Sequence, residues 1–286
     1  MDTQVIRIQD AVNGYVDLVS HVMRYGEEAA PRGMKTREIE DAVIYIDDVY
    51  NTLPVGVGRN VVPGIGAVES CQLLGNVSRP ETVIAVGPQF ANYTEDDGQF
   101  HGSYGTRTVN QYECVIDRLR KDPESRQAVV TIWNPERDML EKKRDYPCTI
   151  LHQFRIRKNK LNMSVYMRSN DVWLGAAYDF FQFTRVQIAI ASILGLEPGT
   201  YGHHVGSLHI YESNYAAAEG LHHTTGTYEH VPTFMDTSWS AIQVRARLCL
   251  DAVHSHRVRQ SMLTPGDEWY ADAMINAVSK NTGKQR

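Results

Sequence analysis

Residue types that can carry covalent chemistry are concentrated in four short segments of the sequence. These segments are Pro147-Cys148, Arg168-Ser169-Asn170-Asp171, Leu174-Gly175-Ala176-Ala177-Tyr178-Asp179 and Gly206-Ser207-Leu208-His209-Ile210-Tyr211. Cys148 offers a sulfur nucleophile when its thiol ionises, and a nearby guanidinium lowers the pKa of a thiol. Cys148 stands at the proline-marked start of a predicted strand, and the strand expected to pair with it ends in Arg168. The spacing therefore predicts a reactive thiolate at Cys148, with an inert buried cysteine as the plain alternative.

Two carboxylates, Asp171 and Asp179, follow these strands. Asp179 falls in the first turn of a helix that is otherwise apolar. An acid at that position commonly compensates the helix dipole, which is one interpretation. The other interpretation is a carboxylate that faces a ligand pocket, because acids are rarely buried on an apolar helix face without a role.

The histidines suggest two further alternatives, a metal site and a hydrolase. Adjacent strand residues point to opposite faces, and His203-His204 and His222-His223 have no third ligand at a suitable spacing. We therefore expect no metal site. A hydrolase would pair Cys148 with His152 or His209, but no segment indicates an oxyanion hole.

The elements that must position these residues follow from hydrophobic periodicity. Residues 150–157 and 161–168 are strand-like runs around Lys158-Asn159-Lys160, which predicts a hairpin. Residues 177–194 are the most apolar helical run, and it ends at Gly195. Further helices are predicted at residues 8–25, around Glu69, at 109–120, after 211 and on either side of Pro265-Gly266. Further strands are predicted at 39–46, 127–133 and 207–211, and loops are predicted at 51–66 and 87–105. Strands and helices mix without regular βαβ alternation, so we expect an α+β fold with helices packed on a mixed sheet.

Length, charge and cysteine content narrow the class of protein. The chain has 286 residues, a formal charge of −5 and four cysteines. A single domain over residues 1–286 is expected, because no shift in composition marks a boundary. The mildly acidic balance gives no reason to bind nucleic acid polymers or membranes. Sparse cysteines and the absence of a secretion-signal pattern predict a cytoplasmic protein.

The four segments, taken in this order, resemble the thymidylate synthase family. That family has a Pro-Cys nucleophile, a hairpin that ends in Arg-Ser-x-Asp, a Leu-Gly helix start and a closing Gly-x-x-His-x-Tyr. The similarity runs from about Arg32 to Tyr211. Within the family the sequence is most similar to the (deoxy)cytidylate 5-hydroxymethylases. The resemblance implies a thymidylate-synthase-like fold and a homodimer that packs sheet to sheet.

The resemblance also implies roles for individual residues. It implies catalytic roles for Cys148, Glu69, Tyr104 and Asp179. It implies a substrate site in which phosphate is bound by Arg32, Arg126, Arg168 and Ser169, the base by Asp179, and the sugar by His209 and Tyr211. On the cofactor side, it implies that the pterin and folate contact Asp171, Phe90 and Tyr93. In the family the counterpart of Arg126, which by itself reads as a solvated charge, comes from the other subunit.

Several positions depart from the methylating members of the family. Asp179 stands where thymidylate synthases carry Asn, and a carboxyl group suits the amino group and ring nitrogen of cytosine. Phe90 and Tyr93 replace tryptophans and Thr149 replaces a histidine, which predicts a wetter cavity. Gln127 replaces a second phosphate arginine, so phosphate binding is expected to be weaker or to use another basic residue.

The resemblance and these departures predict hydroxymethylation at C5 of a cytidine monophosphate, with 5,10-methylenetetrahydrofolate as the one-carbon donor. Ala176 and Ala177 stand where relatives in the family carry larger residues, which predicts room for a 2′-hydroxyl. This favours CMP, as in nucleoside-antibiotic biosynthesis, with dCMP as the next candidate. The alternatives are a thymidylate synthase that acts on dUMP and a non-catalytic nucleotide-binding or RNA-binding homologue.

Overall fold

The computed structural model of the chain describes residues 4–140, 142–223, 231–254 and 262–283. Its strands are β1 (Val5–Ile8), β2 (Glu27–Ala29), β3 (Thr36–Ile46), β4 (Val129–Thr131), β5 (Thr149–Arg157), β6 (Lys160–Met167), β7 (Asn170–Asp171) and β8 (Glu197–Tyr211). Its α-helices are α1 (Ala11–Tyr25), α2 (Pro63–Gly75), α3 (Pro80–Val86), α4 (Tyr104–Arg107), α5 (Gln111–Lys121), α6 (Pro135–Asp138), α7 (Ala176–Leu194), α8 (Tyr215–Glu219), α9 (Trp239–His254) and α10 (Pro265–Asn281). Short 3-10 turns span Pro31–Gly33, Pro88–Tyr93 and Glu212–Asn214.

The described strands form one mixed sheet in the order β1-β3-β8-β6-β5-β4, with β2 paired to β3 and β7 paired to β8. Strands run parallel in the β1–β3 and β6–β8 pairs. They run antiparallel in the β3–β8, β5–β6 and β4–β5 pairs. Helices α1 and α7 pack on this sheet. The predicted α+β fold, with helices on a mixed sheet, is therefore confirmed.

The β5–β6 hairpin brings the segment of the nucleophile next to the segment of the arginine. Lys158 and Asn159 form its two-residue turn, and both have positive φ (52° and 57°), as a type I′ turn requires. At the open end of the hairpin, the backbone N–H of Arg168 donates to the carbonyl oxygen of Cys148 at 2.9 Å. The two side chains therefore leave the backbone at the same end of the sheet.

Helix α7 lies at the centre of the hydrophobic core. Most of its residues are buried, because it packs against β6 and β8 on one side and against α2 on the other. Gly195 ends the helix in the left-handed region (φ 68°), and its N–H bonds the carbonyls of Ala191 and Ser192. Neither α7 nor any other helix in the described ranges is long and apolar enough to cross a bilayer. Helices α9 and α10 pack on α2, which is thus enclosed between helices.

The other face of the sheet, here called the outer face, carries Tyr45, Arg155, Tyr166 and His204. The ring of Tyr166 stacks on that of His204 with centroids 4.5 Å apart, and Tyr45 meets the same histidine edge-on at 6.4 Å. Arg155 donates to the Ser164 hydroxyl on the neighbouring strand at 2.7 Å. The outer face is therefore an ordered surface of half-buried aromatic and polar groups.

Several predicted boundaries were wrong, among them the following three. The helix predicted at 8–25 begins at Ala11, where the Asp10 side chain caps α1, while Val5–Ile8 pairs with β3. The loop predicted at 51–66 ends at Pro63, which suits the first turn of a helix. The strand predicted at 127–133 is the short edge strand β4, in which exposed and buried residues alternate.

Candidate active site

Cys148 precedes β5 directly, and its thiol lies beside the guanidinium of Arg168. Arg168 Nη2 is 3.7 Å from Cys148 Sγ. Two backbone carbonyls hold the guanidinium: Nε donates to the oxygen of Pro147 at 3.1 Å, and Nη2 donates to that of Tyr146 at 3.4 Å. The hairpin thus places a fixed positive charge next to a sulfur nucleophile.

The thiol of Cys148 is nevertheless less acidic than a free thiol. Burial raises its pKa, and this effect outweighs the charge of Arg168, which lowers it. The carboxyl group of Asp179 raises the same pKa further. Arg168 thus lowers the pKa of the thiol as predicted, but desolvation of the thiolate is the larger influence and the net pKa is raised. Cys148 needs further positive charge or ligand donors to ionise near neutral pH.

Asp179 is buried in the first turn of α7. Asn170 Nδ2 donates to its Oδ2 at 2.7 Å, and Gln182 Nε2 donates to its Oδ1 at 3.0 Å. Burial raises the pKa of Asp179 to about 7, and the two hydrogen bonds oppose part of that rise. This carboxyl group therefore changes between its charged and neutral forms close to neutral pH.

Glu69 and Tyr104 complete a cluster of titratable groups around Asp179. Gln182 Nε2 bridges to Glu69, whose Oε2 accepts at 3.2 Å. Burial raises the pKa of Glu69 well above its ordinary value, and the charge of Asp179 raises it further. Burial and the same charge also raise the pKa of Tyr104. Both groups favour their protonated forms and can donate protons to a ligand.

A buried ion pair fixes the segment that carries Tyr104. The guanidinium of Arg107, in α4, makes two bonds of 2.7 Å to the carboxylate of Asp138 in α6. His101 Nε2 lies 2.9 Å from the same carboxylate. These contacts join the residues on both sides of Tyr104 to the turn that follows β4.

Packing holds Tyr104 from two further directions. Its ring stacks on Phe183 of α7 with centroids 5.9 Å apart. Gly105, the next residue, lies so close to the end of α2 that a Cβ atom there would overlap the carbonyl oxygens of Gln72 and Val77. The phenol of Tyr104 therefore has little freedom to move.

Asp171 presents a free acceptor to a different side of the site. Its Oδ1 accepts from the backbone N–H groups of Trp173 and Leu174 at 2.7 and 2.9 Å. Its Oδ2 is buried and has no hydrogen-bond partner among the described residues. A ligand with an N–H group can therefore bond to Asp171 without displacing a protein contact.

Arg59 lies near Asp171 and was not predicted to be functional. Its guanidinium carbon is 5.3 to 5.7 Å from the ring centres of Trp173, Tyr15 and Tyr178. Its charge lowers the pKa of Asp171, which burial raises. A lone arginine in a glycine-rich loop reads as a surface charge, so the sequence offered no signal beyond that loop.

Phe90 and Tyr93 lie on the 3-10 turn Pro88–Tyr93. Phe90 packs partly into the core and covers Gly87, whereas Tyr93 is 49% exposed. One ring is therefore held in place and the other is open to a ligand. Their contact with a folate stays a prediction.

The predicted phosphate and sugar residues are only partly brought together. Arg168 Nη1 is 3.4 Å from the Ser169 hydroxyl, so these two lie together near Cys148. Arg32 is exposed on the turn Pro31–Gly33. His209 and Tyr211, near the end of β8, meet edge-on at 5.2 Å, and the β7–β8 pairing sets His209 opposite Asp171.

Arg126 lies far from Cys148 in the same chain. The N–H of Phe154, in β5, donates to the carbonyl oxygen of Ala128 at 2.9 Å. This register places Arg126 opposite the end of β5 that is remote from Cys148, roughly 25 Å away at ~3.3 Å per residue. An arginine side chain cannot span that distance, so one chain alone does not bring Arg126 to its own thiol.

A chain of hydrogen bonds behind Asp179 was missed by sequence reasoning. The Tyr201 hydroxyl is 2.8 Å from His203 Nδ1, and His203 Nε2 is 3.0 Å from Asn170 Oδ1. Asn170 in turn donates to Asp179. The backbone of Asn170 pairs with Leu208 rather than with His203, so this contact joins side chains that are distant in the sequence, and no local sequence pattern indicates it. No three His, Cys, Asp or Glu side chains within the described ranges are grouped to hold a metal ion.

The two histidines considered for a hydrolase make other contacts. His152 Nδ1 is 3.1 Å from the Tyr112 hydroxyl, and its ring packs against Phe183. Burial lowers the pKa of His152 to about 3. His209 Nδ1 is 3.3 Å from the Ser207 hydroxyl. These contacts give no support to a Cys–His hydrolase.

Comparison with known proteins agrees with this geometry. The family model described as thymidylate synthase matches residues 81–235. The chain is also 31% identical over 220 residues to the deoxyuridylate hydroxymethyltransferase of Bacillus phage SP01. That alignment covers 71% of this chain, and the chain spans 57% of the length of the phage protein. The chain belongs to the thymidylate synthase family.

Proposed function

We propose that the chain catalyses hydroxymethylation at C5 of a cytidine monophosphate. CMP is the favoured substrate and dCMP the next, with 5,10-methylenetetrahydrofolate as the one-carbon donor. Family membership supports one-carbon transfer to a pyrimidine nucleotide, and the similarity to a hydroxymethyltransferase supports water as the final reactant. The buried carboxyl group of Asp179 is the observation that carries the choice of base.

The argument for cytosine rests on which groups Asp179 can satisfy. Cytosine presents an amino donor at N4 and a basic nitrogen at N3, whereas uracil presents an acceptor at O4 and a donor at N3. When a thiolate adds to C6 of uracil, negative charge develops on O4, and a carboxylate nearby opposes that charge. When it adds to cytosine, N3 takes up a proton, which Asp179 can share. The burial of Asp179 strengthens both effects.

The proposed reaction begins with a bond from Cys148 Sγ to C6 of the base. The electrons of the 5,6 double bond move to C5, which attacks the methylene group that the folate supplies when bound. The C5 proton and tetrahydrofolate leave, and water adds to the resulting exocyclic methylene. The sulfur then leaves C6 with its bonding electrons, and the double bond is restored. The nucleotide gains CH2O in total, with its oxygen from water.

We assign the proton transfers to Glu69 and Tyr104, which favour their protonated forms. Buried polar atoms of Thr149 and His152 support the presence of water near Tyr104. The Thr149 hydroxyl is buried, and its hydrogen bond lowers the pKa of Tyr104. His152 Nε2 is buried and has no partner among the described residues. Buried polar atoms of this kind are commonly satisfied by water.

The residues on the folate side fit the proposed donor. Asp171 Oδ2 is a buried, unpartnered acceptor within the described residues, which suits an N–H group of a pterin ring. Arg59, against the rings of Trp173 and Tyr178, supplies positive charge for a folate carboxylate. We propose that Phe90 and Tyr93 pack against the same ligand.

The proposed working unit is a homodimer that packs outer face to outer face. Arg126 cannot reach Cys148 of its own chain, so we propose that it binds phosphate in the partner's site, together with Arg32, Arg168 and Ser169. His209 and Tyr211 are proposed to hold the sugar. The described strands share one sheet, which supports the proposal of one domain over 1–286. All four cysteines are free thiols, which supports a cytoplasmic location.

A second candidate is hydroxymethylation of dUMP. The similarity to the phage deoxyuridylate hydroxymethyltransferase favours it. It shares Cys148, Glu69 and Tyr104 with the first candidate and differs in the base that Asp179 contacts. The two candidates therefore differ only in substrate preference, which a direct comparison decides.

The deciding experiment supplies the folate with CMP, dCMP or dUMP and weighs the nucleotide product. We expect CMP and dCMP to gain CH2O at least ~10-fold faster than dUMP. Faster gain of CH2O by dUMP would establish the second candidate, and gain of CH2 would indicate a methylating enzyme. Cys148→Ala, which lacks the nucleophile, is the control and should give no product.

Release of tritium from C5 of the nucleotide reports the covalent step separately. We expect release from CMP with the wild-type chain and none with Cys148→Ala. Binding of CMP without any release would instead favour a non-catalytic nucleotide-binding homologue.

A further inference from the structure

The hydrogen-bond chain behind Asp179 has a fixed direction. With its amide nitrogen directed to Asp179, Asn170 turns its carbonyl oxygen to His203, and because a carbonyl only accepts, His203 Nε2 carries the proton in this arrangement. His203 is neutral, because burial lowers its pKa to about 3. Its Nδ1 is then a lone pair, which accepts from the Tyr201 hydroxyl at 2.8 Å. Every donor points towards Asp179, and the Asn170 amide ends the chain at Asp179 Oδ2.

These donors make Asp179 a stronger acid than its burial alone would allow. Asn170 donates to one oxygen and Gln182 to the other, and N–H donors favour the carboxylate over the neutral acid. The amide of Asn170 could equally turn its carbonyl oxygen to Asp179. A carbonyl only accepts, so it would favour the protonated acid. A proton on His203 Nε2 bonds the Asn170 carbonyl oxygen and so stabilises the first arrangement, in which the amide nitrogen faces Asp179.

Among the described residues, no neighbouring cation stabilises the charged form of Asp179. The groups that interact with the charge of Asp179 are Glu69 on α2, Tyr104 on α4, Cys148 before β5 and Tyr201 on β8. Burial raises the pKa of each of them, so each favours its neutral form. The charged form of Asp179 therefore depends on hydrogen bonds rather than on a neighbouring cation.

We propose that His203, acting through Asn170, is a positioning residue that sets how readily Asp179 gives a proton to N3 of a cytosine ring. This inference rests on the proposed function, in which Asp179 contacts the base. His203 does not touch the nucleotide. His203 fixes the orientation of the Asn170 amide. That amide sets the acid strength of the Asp179 carboxyl group, which contacts the base.

The test measures the affinity for CMP by calorimetry between about pH 5 and pH 9. A complex that shares one proton between Asp179 and N3 must take up that proton once Asp179 is ionised. Wild-type affinity should therefore fall above a pH near 7, the pKa of Asp179, by ~10-fold per pH unit. The CMP phosphate also ionises in this range, but equally for every variant.

His203→Leu removes the N–H that orients Asn170. Because Asp179 then becomes a weaker acid, the fall in affinity should begin about one pH unit higher than in the wild type. Tyr201→Phe removes the hydroxyl that bonds His203 Nδ1, so the proton of His203 is no longer held on Nε2. The pH at which the affinity for CMP begins to fall should therefore rise, but by less than in His203→Leu. His203→Gln, whose amide nitrogen can replace Nε2, should return the fall towards its wild-type position.

The matched control is His254→Gln, which alters a histidine bonded to Thr82 at the end of α9. It should leave the pH dependence unchanged. An identical pH of onset in wild type, His203→Leu and Tyr201→Phe would overturn the inference while leaving the proposed function intact. If His203→Leu does not fold, Tyr201→Phe decides, because it alters the chain of bonds without removing a ring.

Failure of CMP and dCMP to bind at any pH would instead count against the proposed function. The inference is then decided without a nucleotide, by infrared titration of the Asp179 carboxyl group in wild type and Tyr201→Phe. A higher pKa in the variant would support the role of His203, and equal pKa values would exclude it.

Discussion

The sulfur of Cys148 is subject to two opposing influences. Arg168 stands 3.7 Å away and favours the thiolate, while burial favours the neutral thiol and has the larger effect. A substrate phosphate bound to Arg168 would neutralise part of its charge. The thiol therefore gains most from a second arginine at the phosphate, which is the role proposed for Arg126 of the partner subunit.

Arg168→Gln should make the thiol still less acidic. The positive charge beside the sulfur is lost, so the pKa should rise by about one unit and alkylation by iodoacetamide at neutral pH should slow ~10-fold. Arg120→Gln, which changes an exposed arginine of α5, is the matched control. Equal alkylation rates in Arg168→Gln and wild type would show that Arg168 does not act on the thiol.

Candidate site residues could be predicted from the sequence more readily than their hydrogen-bond partners or their burial. Asp179 stands out because an acid on an apolar helix is unusual, and the structure buries it. His203 and Asn170 are 33 residues apart and meet only through their side chains in the folded chain. The net rise in the pKa of Cys148 was equally hidden, since a sequence shows a neighbouring charge but not the depth of burial.

At the scale of elements, the α4–α6 contact depends on one buried carboxylate. Although burial alone would raise the pKa of Asp138, hydrogen bonds from Arg107 and its neighbours hold that pKa at about 2, below the ordinary 3.8. A lowered pKa contributes stability above the unfolded value, and that stability is lost as the pH falls through the folded value. The segment that carries Tyr104 should therefore loosen in acid.

Asp138→Asn should destabilise the fold by ~3 kcal/mol or more, because Arg107 is left buried without its carboxylate. Between pH 4 and pH 2 the wild type should lose part of its advantage over the variant. Urea unfolding at a series of pH values measures both effects. Asp96→Asn, which alters an exposed ion pair with Arg144, is the control and should change neither the stability nor its dependence on pH. Equal acid sensitivity of Asp138→Asn and wild type would contradict a lowered pKa at Asp138.

Elements with local signals were predicted well, and those defined by distant partners were not. The β5–β6 hairpin has its signal in the turn residues Lys158 and Asn159. β8 begins at Glu197, ten residues before the strand predicted at 207–211. Pro198 and Gly199 argue against a strand locally, but β6 pairs with this part of β8, and β3 pairs with β8 from Tyr201 onwards.

At the scale of the whole molecule, the proposed site needs two chains. Arg126 lies at the opposite end of β5 from Cys148, and the outer face offers stacked aromatic groups at Tyr166 and His204. Joining two outer faces would bury this surface, as dimer interfaces commonly do. The activity of a single chain should then depend on its partner.

Mixing Arg126→Ala and Cys148→Ala chains tests this dependence. A mixed dimer would contain one site with both native residues, so random reassociation should restore about one quarter of wild-type activity. Mixing Arg168→Gln with Cys148→Ala is the matched control and should restore none, because both residues serve the same site. Absence of recovery in the first mixture would mean that Arg126 does not act across the dimer.

The tight contact at Gly105 has a consequence for how the chain tolerates change. Any side chain there would overlap the backbone of α2 and its following turn, and Tyr104 is the adjacent residue. In a saturation library scored for growth or turnover, position 105 should accept glycine alone. The substitution tolerance of position 105 would resemble that of a catalytic residue, although Gly105 contributes no atom to the reaction.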